Sequence, residues 1–188
     1  MTSRMARFPL QTLFAALIIS VATAQTDRPL LAGLSPDVRA LVMTWLNTDC
    51  GAGQSPAMDT RLVALGPRLE AVFWEAYRLG PPSDEIERDR AAISQRYEQR
   101  QRQLRESGEK LFGPEEAKRL LSVSQADYTK RELDQAIIGY KTAAIAGLGF
   151  VGTSASVADL ARVVADEQNP ARVAAQQATQ RLRQRGVR

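Results

Sequence analysis

Prolines and glycines divide this chain more firmly than any other feature of it. Ser35-Pro36, Gly66-Pro67, Gly80-Pro81-Pro82, Gly113-Pro114 and Asn169-Pro170 each stop one regular element and let another begin. Proline costs about 3 kcal/mol inside a helix but suits its first position, where the missing N–H would be unpaired anyway. Between these breaks the apolar residues recur at spacings of three and four. Val38, Leu41, Val42, Trp45 and Leu46 follow Pro36; Leu69, Val72, Phe73 and Ala76 follow Pro67; Leu133, Ile137, Ile138, Tyr140, Ala144 and Leu148 run through the second half. That is the period of helices with one buried face, and no segment has the composition of a strand. The expected fold is all-α, with about seven helices.

The middle of the chain has a different character. From Ser83 to Phe112 the acids Asp84, Glu85, Glu87 and Asp89 come first, and Arg96, Arg100, Arg102, Arg105 and Lys110 follow. The order suits a helix dipole. The apolar seam is thin: Ile86, Ile93, Tyr97, Leu104 and Leu111 step by sevens and fours, as on a helix packed along one line in a hairpin or coiled coil. Gly113-Pro114-Glu115-Glu116 then opens a short helix with Leu120 and Leu121, and a long one starts near Ala126 and ends near Gly149. A short apolar helix over Ser156 to Ala165 and a last one, capped by Asn169 with Pro170 at its first position, complete the expectation.

The beginning of the chain reads as a secretory signal. Arg4 and Arg7 precede an apolar run from Leu13 to Val21, and Ala22-Thr23-Ala24 supplies small residues at the positions a signal peptidase inspects. Cleavage is expected between Ala24 and Gln25. The run is shorter than the ~20 residues that span a bilayer comfortably, so the mature form is expected without a transmembrane anchor, in the periplasm or outside the cell. The whole chain carries a formal +4, and losing Arg4 and Arg7 with no acid leaves +2, too little to argue for a nucleic-acid partner. Residues 25–188 then read as one domain, with N-terminal helices over 35–80, a charged helical arm over 83–125 and C-terminal helices over 126–186.

Chemistry is limited by what is missing. There is no histidine and one cysteine, Cys50. Ser–His and Cys–His catalysis, an intrachain disulfide and the commonest transition-metal ligand are thereby excluded. No catalytic, cofactor-binding or metal-binding constellation emerges, and a non-enzymatic protein is expected. The acids Asp84 to Asp89, interleaved with Arg88 and Arg90, read as a solvated helix face. The arginine run from Arg96 to Arg105 either solubilises that helix or touches phosphates or acidic lipids; Arg96, Tyr97, Arg100 and Leu104 form the candidate partner face. Trp45 and Trp74 fall at apolar helical positions, as core residues or else as interface anchors.

One pattern points elsewhere. Gly147-Leu148-Gly149-Phe150-Val151-Gly152 matches the G-x-G-x-x-G dinucleotide fingerprint, and Asp166 stands where a ribose-binding acid would fall. The ten residues between Gly152 and Val163 are too few for a crossover helix, and the segment before Gly147 continues a helical period. The expectation is a helix corner and not a phosphate cradle.

The same residues support a resemblance. Leu148-Gly149-Phe150-Val151-Gly152, then Val157, Leu160, Ala161 and Val164, then Asn169-Pro170-Ala171-Arg172-Val173-Ala174-Ala175, resemble a HEAT-type helical repeat over residues 143–182. Leu65-Gly66 with Leu69, Val72, Phe73 and Ala76 is a weaker echo. The resemblance implies stacked helices that present a binding surface to another protein. Tyr77 to Pro82, the arginine-rich helix and Leu111-Phe112-Gly113-Pro114-Glu115-Glu116-Ala117 are similar to the extended helical segment of lipase-specific foldases, which implies an arm that holds a secreted client. The expected function is an exported interaction or scaffold module, with a periplasmic chaperone as the alternative and dinucleotide binding as the third reading.

Overall fold

A computed structural model describes residues 28–48 and 55–187 of the protein; the expected leader with its expected Ala24–Gln25 cleavage, and Cys50, lie outside them. The described residues are helical and contain no strand: α1 (Pro29–Ala32), α2 (Pro36–Leu46), α3 (Pro56–Leu65), a 3-10 turn (Gly66–Leu69), α4 (Glu70–Leu79), α5 (Ser83–Phe112), α6 (Pro114–Leu121), α7 (Gln125–Val151), α8 (Ser154–Ala165) and α9 (Arg172–Gln184). The all-α expectation holds. The prolines fall where their chemistry puts them, with Pro29, Pro36, Pro56, Pro67 and Pro114 in the first turns of their elements. Side-chain caps from Ser55, Ser124 and Thr153 accept from the free N–H groups that open α3, α7 and α8. Gly80 and Gly113 sit at φ of 76° and 80°, a left-handed conformation that only glycine adopts without strain. They end α4 and α5 and so bracket the charged segment.

The core is built around the second half of α7. Seven consecutive residues, Ala143 to Gly149, are buried, which requires neighbours on every side of the helix. α2, α3, α4 and α9 supply them. Trp45 of α2 is wholly buried, donates its indole N–H to the Ala143 carbonyl at 2.8 Å, and meets Phe150 edge-on at 5.3 Å. Arg181 of α9 caps the other side of that ring at 4.6 Å. Trp74 is half-buried and donates to Ser156 Oγ at 2.9 Å.

The glycines of the fingerprint pattern are packing devices. Gly147 and Gly149 lie inside α7, which runs on to Val151, two residues past the expected end near Gly149, and Gly152 alone stands at its end. A Cβ on Gly147 would come within 2.5 Å of the Phe73 ring, and one on Gly149 within 3.0 Å of the Ala178 backbone. The small residues Ala174, Ala175 and Ala178 of α9 are buried, and the two helices approach at those points. The corner itself is held by Glu70, whose carboxylate accepts from Thr153 N at 3.2 Å, from the Thr153 hydroxyl and from Ser156 Oγ. An acid at the start of α8 also suits its dipole. The last helix begins later than expected. Asn169 forms a turn by accepting the Ala171 N–H on its side chain and the Arg172 N–H on its carbonyl, and α9 starts at Arg172.

Opposite effects are expected from one substitution at two sites of α7. Gly139 is exposed with nothing within 4 Å of a new Cβ, so Gly139→Ala stabilises by about 0.5–1 kcal/mol. Gly147→Ala gains the same helix propensity but drives a methyl into Phe73, for a net loss of about 1–3 kcal/mol. Urea unfolding of both variants checks the signs; stabilisation by both would mean that α4 and α7 do not meet at Phe73.

Candidate interaction arm

The charged segment stands away from this core as a helical hairpin. α5 has thirty residues, about 45 Å at 1.5 Å each. It runs antiparallel to the first half of α7, with α6 folded back near the far end. The arm therefore extends past residue 125 and takes in α7 to about Ile137, so the expected boundary at 125 falls inside it. Of the seam expected from the sequence, Ile93, Tyr97 and Leu104 turn inward and Leu111 does not. Ile93 and Leu104 are buried, and Ala117 of α6 sits against Gly108. Gln125 Nε2 donates to Ser94 Oγ at 2.6 Å, and Tyr97 donates its hydroxyl to the Val123 carbonyl at 2.9 Å. Tyr97 and Tyr128 meet at 5.5 Å, with Arg100 and Arg131 each over the Tyr128 ring.

These contacts locate the residues of the candidate face. Tyr97 and Leu104 are turned into the hairpin and Arg100 lies over Tyr128, so of the four residues only Arg96 is fully exposed. The physical reason is that a thin seam is consumed by the arm's own two return helices. What remains open is different. At the far end Leu111 is 68% and Phe112 53% exposed. Nearer the core, where α5 and α7 splay, a shallow groove is lined by half-buried Ile86, Leu133 and Ile137, with Arg90, Lys130 and Asp134 on its rim. The sequence placed Leu111 in the seam; the signal for its exposure is that Gly113 ends α5 immediately after it.

The arm is fastened at its base by buried polar groups. Arg28 donates to the carbonyls of Leu79, Gly80 and Pro81 at 2.7–3.0 Å, closing the end of α4 just before α5. Glu75 is 6% exposed and takes the N–H groups of Leu30 and Leu31, each at 3.0 Å, so that α1 is capped from α4. Glu85, expected on a solvated face, is instead buried and accepts from the Asn47 amide at the end of α2. Burial pushes its carboxyl above the ordinary value; the Asn47 hydrogen bond and Arg88 pull the other way.

No three histidine, cysteine, aspartate or glutamate side chains converge as metal ligands among the described residues. No helix among them is long and apolar enough to cross a membrane. Compared with protein-family models, curated proteins and solved structures, the chain matches none.

The sign at Glu85 follows from linkage. A carboxyl raised on folding favours the native state most below its unfolded value of 4.5, and that contribution is lost as pH rises through the folded value. Glu85→Gln keeps an acceptor for Asn47 and removes the buried charge. It is expected to raise Tm at pH 7 by about 2–4 °C, with the gain vanishing as pH falls below 4.5. An equal gain at pH 3 and pH 7 in thermal melts would show that the charge is not the cause.

Proposed function

We propose that this is an exported, non-enzymatic helical module that acts by binding another protein through its arm. The observation that carries the reading is the pair Leu111 and Phe112, held exposed at the far end of a hairpin that stands off the core. Large apolar side chains exposed together at the end of a rigid element are costly in water unless something covers them. The HEAT-like resemblance supports the same reading: α9 packs against both α7 and α8, and stacked helices of such repeats present a binding surface. The signal-like pattern of residues 1–24 supports a site of action beyond the cytoplasmic membrane.

A second reading, a chaperone for a secreted client, draws on the same tip. A long arm ending in an aromatic and an aliphatic residue can hold an apolar stretch of an unfolded chain. It requires suppression of a client's aggregation at near-stoichiometric ratio, and no suppression for any client tried would retire it.

Two measurements test the leading reading. Intact-mass analysis of the protein recovered from an exporting host is expected to show a chain starting at Gln25; retention of residues 1–24 would overturn the export reading. Crosslinked pull-downs should recover a defined protein whose yield falls at least tenfold for Leu111→Ser with Phe112→Ser. Val173→Ser, at an exposed apolar position on α9, should leave the yield unchanged. Equal recovery from all three proteins would remove the arm from the account.

A further inference from the structure

Most cations of α5 have an acid three or four residues away, where a helix brings side chains together. Arg88 has Asp84, Arg90 has Glu87, Arg102 has Glu98 and Glu106, Arg105 has Glu109, and Lys110 has Glu106. Arg96 and Arg100 have none. Neither makes an ion pair or a hydrogen bond among the described residues.

Arg100 is held in place all the same. It is half-buried, 5.5 Å from the centre of the Tyr128 ring, and Arg131 reaches that ring from α7 at 5.4 Å. Tyr128 is itself buried, so one fixed ring orients both guanidiniums. Twice that distance is the most that can separate them. Arg131 has a neighbouring acid in Glu132 at 3.6 Å, but both side chains are well exposed and such a pair contributes little. Asp127, one turn before Arg131, is engaged with Ser124. Three guanidiniums thus gather at the middle of the arm with little to balance them, and their planar forks of donors suit carboxylates.

The same edge leads to the tip. Arg96, Arg100, Gln103, Ser107 and Leu111 are four, three, four and four residues apart, a single stripe along α5. The stripe runs beside the buried seam of Gln101, Leu104 and Gly108, and all of it is exposed except half-buried Arg100. Glu98, Glu106 and Glu109 fall on other faces of the helix. From Arg100 to Leu111 is about 16 Å at 1.5 Å per residue.

We infer that the arm takes a polypeptide segment of its partner that sets neighbouring carboxylates against Arg96, Arg100 and Arg131 and an apolar side chain against Leu111 and Phe112. The inference rests on the binding-module reading and adds the partner's chemistry. An extended chain covers the distance in about five residues. An anionic membrane fits the arm poorly, because Glu109, Glu115 and Glu116 accompany the apolar tip that would have to enter it.

The test is fluorescence anisotropy of the purified protein with labelled peptides of about twelve residues, carrying Glu-Glu about five residues from Leu-Phe in either order. One order is expected to bind, and to bind about tenfold more tightly than the same peptide with Gln-Gln. Arg96→Gln with Arg100→Gln should remove about that tenfold preference. Arg102→Gln with Arg105→Gln, which removes equal charge from another face, should change binding less than about twofold. Arg96→Gln alone disturbs no contact in the fold, and a loss of about threefold is expected from it. No binding in either order, equal affinity for the Gln-Gln peptide, or equal loss in the two double variants would overturn the inference. Arginine-dependent binding to phosphatidylglycerol vesicles without peptide binding would overturn it as well, assigning the stripe to a membrane. If crosslinked pull-downs still recover a tip-dependent protein in undiminished yield from the Arg96→Gln, Arg100→Gln variant, the carboxylate site is wrong and the binding-module reading stands. If no tip-dependent protein is recovered either, both are wrong.

Discussion

The close approach of helices around residues 143–149 is the constraint on which the rest of the molecule depends. Helix packing distances are set by the side chains at the crossing, and here those side chains are nearly absent. Gly147 leaves room for the Phe73 ring, and Gly149 for the backbone of α9 at Ala178. Because α4 and α9 close in on opposite sides of α7, the remaining pieces follow. α2 reaches the same helix with Trp45, and α8 is folded over the corner at Gly152 by Glu70. A chain with few large aromatic residues thus obtains a dense core by bringing backbones together, where dispersion over many small contacts replaces a few large ones.

α7 also links core and arm. Its second half is buried all round, while its first half packs against α5 through Ser94–Gln125 and Tyr97–Tyr128. The arm inherits its direction from the core through this continuous helix, and Arg28, at the Leu79–Pro81 carbonyls, and Glu85, at Asn47, hold the other strut, α5, at its root. Such a hairpin has few apolar contacts per residue toward its end. Rigidity at the base with an exposed apolar tip is the arrangement expected of an element that presents side chains to something else, and the same economy explains why the seam residues Tyr97 and Leu104 cannot be those side chains.

Much of this was legible in the sequence because proline and glycine act locally. Pro36, Pro67 and Pro114 mark helix starts whatever surrounds them, and the seam through Ile93 and Leu104 follows from period alone. What was hidden depends on contacts between distant segments. Nothing near Glu85 announces that Asn47 will lie over it, so a carboxylate in a helix's first turns reads as solvated. Gly147 and Gly149 read as a corner because their partners, Phe73 and Ala178, are far away in the chain. Leu111 continued the seam's arithmetic, and only the short return helix α6, which leaves the last turn of α5 uncovered, makes it exposed.

The claim that the 143–149 segment is the mechanical centre of the protein has a direct test in native-state hydrogen exchange. Amides of residues 143–149 should exchange only through global unfolding, with the free energy of the whole domain, while those of α6 and the last turns of α5 exchange through cheaper local opening. Fast exchange across 143–149 in a folded protein, or protection there that grows on adding a dinucleotide, would contradict the account.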